Sequence, residues 1–179
     1  YQLGTGVMSG LPGQSAADLA GDIEFFRQID ADMIGMGPYL PHHATPLGQT
    51  VLEAGGCDPA RQLEIGLKMI AVTRLALRDV NIASTTALQA LAPDGRERGL
   101  LAGANVVMPN VTATAYRANY QLYDGKPGCD ENAETSRLAL ERAVAAIGET
   151  VGMREWGDSP HARKRNQNTP NNRLSLQEQ

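Results

Sequence analysis

The chain has 179 residues, 42% of them hydrophobic, enough for one domain with a sizeable core and too apolar for wholesale disorder. Its net charge of -4 gives no reason to expect nucleic acid as a partner. No apolar run approaches the roughly 20 residues of a membrane span. Aromatic residues make up only 4%, so the core must be aliphatic with methionine as filler. The two cysteines, Cys57 and Cys129, are too few for a disulfide framework or an all-cysteine metal site and read as free cytosolic thiols. Tyr1 rather than methionine opens the chain a few residues before a strand, which suggests a piece of a longer polypeptide.

Taken in order, the elements alternate between strand and helix, with glycine and proline between them. Gly4 to Ser9 reads as a short buried strand, followed by the loop Gly10-Leu11-Pro12-Gly13-Gln14. Ser15 is a good N-cap and Asp18 an acid at N3, opening a helix to about Gln28 with Leu19, Ile23, Phe26 and Ile29 along one face. Met33 to Met36 is the next strand, ended by Gly37-Pro38. A long loop is expected from Tyr39 to Asp58, of the length usually tied to function or mobility. Asp58-Pro59 fits an N-cap and N1 proline, and the helix to about Leu77 carries Leu63, Leu67, Ile70 and Leu75 near helical spacing. Asn81 to Ser84 is a third strand leading into Thr85-Thr86, and a short helix is expected from Arg96 to Ala102. Gly103 ends that helix and Asn105 to Met108 is the fourth strand, stopping on Met-Pro-Asn. Thr112 to Tyr123 carries a short helix, and Asn132 to Gly148 a last one with Leu138, Ala145 and Ile147 as inward candidates. From Gly157 the chain turns polar, and this tail, with Arg163-Lys164-Arg165, is expected to be disordered and solvated.

Four strand-then-helix units imply a parallel sheet. They match half of an eight-unit barrel, and a small doubly wound sheet would use the same pattern. In either case the strand ends before helices are where chemistry gathers. Gly4-Thr5-Gly6 is not a dinucleotide fingerprint, because the third glycine position is Ser9 and the glycines lie within the strand. The Gly10–Gln14 loop could offer backbone N–H groups to an anion, but a tight turn needing glycine dihedrals is the favoured reading. His42-His43 lacks a third ligand at a recognisable spacing. Thr85 and Thr86 could present hydroxyls to a ligand or cap the following segment. Met33, Met108 and Tyr120 would by default be core, the two methionines at depths that need not match. No serine, histidine and acid constellation is visible.

Five segments together resemble the HydE family of FeFe-hydrogenase maturases, which are radical S-adenosylmethionine enzymes of the biotin-synthase-like superfamily. They are Thr5-Gly6-Val7-Met8-Ser9-Gly10-Leu11-Pro12-Gly13-Gln14, Asp32-Met33-Ile34-Gly35-Met36-Gly37-Pro38-Tyr39, Leu67-Lys68-Met69-Ile70-Ala71-Val72-Thr73-Arg74, Asn81-Ile82-Ala83-Ser84-Thr85-Thr86-Ala87-Leu88, and Gly103-Ala104-Asn105-Val106-Val107-Met108-Pro109-Asn110 running on to Tyr123-Asp124-Gly125-Lys126. The resemblance runs from about Gly4 to Lys126. It implies the second half, four βα units over residues 1–127, of a TIM-like (β/α)8 barrel, then a helical extension over 128–156 and the polar tail over 157–179.

The resemblance also implies a chemistry. S-adenosylmethionine and a four-iron four-sulfur cluster are the expected cofactors, the cluster ligands being a CxxxCxxC loop outside this chain, without which the chain alone would be inactive. Met33, Met108, Tyr120 and Leu122 match positions lining the S-adenosylmethionine pocket. Thr85 and Thr86 match a pair that contacts small anions and substrate deep in the barrel. A second cluster found in some members is not expected, since its cysteine positions read Gly128, Ser136 and Ala139, with Cys129 one place off. The implied role is assembly of the di-iron subcluster of FeFe-hydrogenase from a small iron–cysteine precursor through a 5′-deoxyadenosyl radical, in the cytoplasm, alongside other hydrogenase maturation proteins. The alternatives are a related radical enzyme of the methylornithine-synthase or biotin-synthase type acting on another small, amino-acid-derived substrate, and a non-catalytic half-barrel binding module.

Overall fold

The computed structural model describes residues 1–117 and 133–168. Its centre is a parallel sheet of four strands, β1 (Gly4–Ser9), β2 (Met33–Pro38), β3 (Asn81–Ser84) and β4 (Val106–Val107), hydrogen-bonded in the order in which they occur in the chain. The order never reverses, so these strands lack the switch point that a doubly wound sheet would have. Between them lie α1 (Ala16–Gln28), α2 (Pro46–Glu53), α3 (Pro59–Ala76), α4 (Thr86–Leu91) and α5 (Gly95–Leu101). Beyond β4 follow α6 (Thr114–Arg117), α7 (Ala133–Ala146) and α8 (Pro160–Asn168).

Local chemistry sets the helix starts. The Ser15 hydroxyl accepts from the Asp18 amide while the Asp18 carboxylate accepts from the Ser15 amide, a reciprocal capping box. The Asp58 carboxylate accepts from the Ala60 amide ahead of Pro59, as expected. The long loop expected after β2 is interrupted by α2, which Thr45 caps by accepting from the Gly48 amide. The N-cap threonine and following proline carried that signal, and the surrounding glycines and prolines hid it. Likewise, α4 follows directly on Thr85, a second helix within a stretch that periodicity alone read as loop.

Alternation along the strands divides the sheet into two faces. Ile34 and Ile82 (each 0% exposed) and Met36 point to one face, with Val7 packed against them. Ile23 and Phe26 of α1, Leu63, Met69 and Ile70 of α3, and Leu88 of α4 cover it. The buried Thr73 hydroxyl of α3 donates to the Met36 thioether at 3.4 Å, so even this polar group is satisfied inside the core. Leu75, expected inward, is 75% exposed, because it stands five residues past Ile70, about 140° around the helix from the buried stripe. In α7 the inward residues are Ser136, Leu140 and Val144, whereas Leu138 and Ala145 face outward.

The amino end of the sheet is closed by a polar network. Arg74 of α3 donates from Nε to the Gly103 carbonyl (2.8 Å), from Nη1 to the Val80 carbonyl (2.8 Å), and from Nη2 to the Asn105 side-chain oxygen (3.0 Å). Asn105 in turn accepts from the Ile82 amide and donates to the Asn81 side chain. Gly103 has φ +121, and a Cβ there would lie 2.9 Å from the Arg74 Cβ, so glycine is required both for the turn and for the approach. Burial lowers the Arg74 pKa from its ordinary value, with Asp79 opposing the shift.

Residues 157–168 differ from the disordered tail expected. They fold back on this same end, where Ser159 and Ala162 are fully buried and Lys164 and Arg165 are held by Asp79, Asp30 and Asp32. Sequence polarity suggested solvation because the ionic partners lie more than 80 residues away in the chain.

Candidate functional site

The other face of the sheet is exposed along β1 and half-exposed along β2 among the described residues. Strand register places Gly6, Gly35 and Ala83 in one row across it, with Gly4 and Met33 in the row toward the amino end and Met8 and Gly37 in the row toward the carboxyl end. Met8 is 53% exposed and Gly4 and Gly6 are exposed. Small residues therefore leave the backbone of β1, and in part that of β2, accessible, which is what close approach of a ligand to a sheet needs, while β3 is buried throughout.

Thr85 stands at the carboxyl end of this face. It occupies the N-cap position of α4, yet its side chain makes no capping bond. Its hydroxyl oxygen is buried and has no hydrogen-bond partner among the described residues. Gly37 lies beside it: a Cβ on Gly37 would come 3.2 Å from the Thr85 Oγ1. A buried hydroxyl without a partner is costly, and helix capping, the bland alternative for this residue, is not what it does. Thr86 is the first residue of α4 and half-buried.

Three further buried polar atoms without partners lie on residues at the same end of the sheet: Ser9 Oγ closing β1, Tyr39 Oη just after β2, and Gln62 Oε1 on the first turn of α3. The Tyr39 backbone amide donates to the Ser9 carbonyl at 2.7 Å, and the Gln62 side-chain Nε2 donates to the Gly10 carbonyl at 2.9 Å, which ties these groups to the ends of β1 and β2. Burial pushes the Tyr39 phenol pKa up, with Cys57 nearby adding to the shift. Sequence reasoning missed all three. A serine, a tyrosine and a glutamine carry no spacing signal, and only the fold places them at the strand ends.

The Gly10–Gln14 loop is resolved in favour of the tight turn. Gln14 Oε1 accepts from the Gly10 amide (2.7 Å) and the Leu11 amide (3.3 Å), the very N–H groups an anion would need. Gly10 and Gly13 take φ of +80 and +78. His42 and His43 stack with centroids 4.7 Å apart, and His42 Nδ1 accepts from the Ala44 amide.

Of the sequence-derived site residues, Thr85 and Met108 reach one level at the carboxyl end, since Ser84 pairs with Val107 and each is the next residue along. Met108 is 51% exposed. Met33 is half-buried on the open face but pairs with Asn81, four residues before Thr85, about 13 Å lower along the strand. The structure thus does not bring the two methionines to one depth. Tyr120 and Leu122, like Cys129, lie outside the described residues. Among the described residues, no helix is long and apolar enough to cross a membrane.

A parallel sheet wound in one direction, with small residues on one face and unpartnered polar groups at its carboxyl end, defines an α/β protein whose candidate site lies at that end. Comparison with known proteins gives a more specific likeness. No protein-family profile matches the chain. Over 157 residues, 88% of its length, the chain is 41% identical to the FeFe-hydrogenase maturase subunit HydE of Thermotoga maritima. The chain is HydE-like, as the resemblance of its segments to the C-terminal half of that family led one to expect. It spans 42% of that relative's length.

Proposed function

We propose that this chain is a wall of the reaction chamber in a HydE-like hydrogenase maturase, a radical S-adenosylmethionine enzyme. The observation that carries the reading is the 41% identity to HydE over 157 residues, 88% of the chain. Sequential strand order supports the second half of a (β/α)8 barrel, whose inner surface would be the small-residue face and whose working end would hold Thr85.

The residues fit S-adenosylmethionine in kind. Thioethers at Met33 and Met108, a glycine-lined sheet face and an unpartnered hydroxyl suit a flat, partly apolar, cationic ligand. When bound, S-adenosylmethionine supplies a 5′-deoxyadenosyl radical. Met108, with Tyr120 and Leu122, would line its pocket at the carboxyl end and exclude water, Met33 would meet it only from about 13 Å deeper along the sheet, and Thr85, with Thr86 beside it, would orient a small iron–cysteine or amino-acid-derived substrate. The four-iron four-sulfur cluster does not fit this chain, since two cysteines, Cys57 and Cys129, cannot supply three thiolates. Its ligands would come from outside the sequence in hand.

The test is genetic. The native gene carrying this sequence, introduced into a hydrogenase-producing bacterium lacking its own HydE, should restore FeFe-hydrogenase activity. Growth of inactive apo-hydrogenase despite normal expression of the introduced protein would sink the reading.

A further inference from the structure

The segment from Gly157 to Asn168 is attached to the body in an unusual way. Its helix, Pro-His-Ala-Arg-Lys-Arg-Asn-Gln-Asn, offers one buried apolar side chain, Ala162. Everything else that holds it is polar. Asn81 Nδ2 donates to the Gly157 carbonyl (2.8 Å), the Ser159 amide to Gln2 (3.2 Å), and the His161 amide to the Asp79 carbonyl (2.9 Å). The His161 ring lies between two carboxylates, 2.7 Å from Asp30 and 3.3 Å from Asp79. Lys164 reaches Asp79 at 2.9 Å, and Arg165 reaches Asp30 at 3.1 Å and Asp32 at 2.5 Å.

These contacts converge on the amino ends of β1, β2 and β3. The central one is Asp32, which is fully buried directly before β2. Its Oδ2 accepts from Arg165 and from the Leu3 amide (2.8 Å), while its Oδ1 has no partner. The Asp32 and Met33 amides both donate to the Leu3 carbonyl, and the Asn81 amide donates to the Asp32 carbonyl. Arg165 is thus the cation that balances a buried carboxylate standing where β1, β2 and β3 begin their pairing. A buried carboxylate stripped of its cation is strongly disfavoured, so undocking of α8 and loosening of the start of β2 must be coupled.

We propose that residues 157–168 are an ionic latch: α8 docks on the amino end of the sheet through Asp30, Asp32 and Asp79, and its release frees the first residues of β1 and β2 while the α1–α3 core stays folded. A segment held by charge with so little apolar burial responds to ionic strength, whereas the core does not. The Asp79–Lys164 and Asp30–Arg165 pairs are exposed enough to be screened, and Asp32 passes their loss on to β2.

Hydrogen exchange followed by mass spectrometry on the 179-residue chain tests this. The salt is raised from about 0.01 M to about 1 M, shortening the Debye length from about 30 Å to about 3 Å. Exchange across 163–168 and at Leu3 and Met33 should quicken at least about tenfold, with Ile70 and Ile82 unchanged, as expected for a local opening. Lys164→Gln and Arg165→Gln should each reproduce the effect at low salt. The double variant Asp32→Asn/Arg165→Gln, which leaves no unpaired buried charge, should protect β2 better than Arg165→Gln alone. Exchange in α8 that ignores both salt and Lys164→Gln would overturn the proposal. So would loss of protection in α8 and core together, because α8 would then be an ordinary part of one cooperative unit.

Discussion

Replacing Thr85 with valine separates the two roles open to that residue by sign. The side chains are nearly the same size, so the change deletes a hydroxyl and adds little strain. If Thr85 capped α4, its loss would destabilise the protein by about 1 kcal/mol. The structure gives it no capping bond and leaves its buried oxygen without a partner. A buried unsatisfied hydroxyl costs about 1–3 kcal/mol, so Thr85→Val should stabilise the protein, with the lower end of that range expected because the rest of the residue is only half-buried. In a chain of this size about 1 kcal/mol corresponds to roughly 2–4 °C in Tm. Differential scanning calorimetry of the two proteins, free of ligand, reads this directly. A fall in Tm would refute the assignment of Thr85 as a group held in reserve for a ligand. The gain should be reversed on function: the variant should lose turnover in the intact enzyme, since a residue that costs stability persists where it does chemistry.

Three other outcomes follow from the packing and charge of the fold. Ile70→Ala, at a site with no solvent exposure in the middle of the core, should cost about 2–5 kcal/mol in urea unfolding. Arg74→Gln should destabilise by about 2–4 kcal/mol, because the Gly103 and Val80 carbonyls and the Asn105 side chain lose a charged donor together; Gly103→Ala should be non-additive with it, since both act at one contact. Lowering pH should undock α8 before the core unfolds. His161 first, with Arg165, holds the Asp30 pKa below its ordinary 3.8, and Lys164 first, with smaller aid from His161, does the same for Asp79. A carboxylate with a depressed folded pKa contributes stability that is complete above its unfolded value and disappears as pH falls through the folded one. The docking contribution should therefore be intact at pH 5, begin to fall near pH 3.8 and disappear only as pH drops through the lower folded values, which fluorescence of Trp156, hydrogen-bonded to Asp158 at the head of this segment, can follow.

The strands and the helices α1 and α3 were legible because their signals are local: Ser15 with Asp18, Asp58 with Pro59, and the apolar runs at Ile34 and Ile82 each announce themselves within a few residues. Two helices were not. α2 and α4 are short and sit among glycines and prolines, so breaker residues outweighed the threonines that precede them. The tail misled in the opposite way, since nothing near Arg165 in sequence reveals Asp32. The candidate site was readable only where a strand end announced it, at Thr85 and Met108. Ser9, Tyr39 and Gln62 acquire interest solely from being buried without partners, a property of the fold. Depth was equally hidden: Met33 and Met108 look alike as isolated methionines, and only the register of β2 on β3 and of β3 on β4 shows them at different heights.

The most direct test of the central claim is reductive cleavage of S-adenosylmethionine. The native polypeptide carrying this sequence, purified without oxygen, with its iron–sulfur centre reconstituted and reduced, should convert S-adenosylmethionine to 5′-deoxyadenosine and methionine, and Met108→Ala should weaken its binding of S-adenosylmethionine. A reduced four-iron four-sulfur centre that produces no 5′-deoxyadenosine would contradict the account.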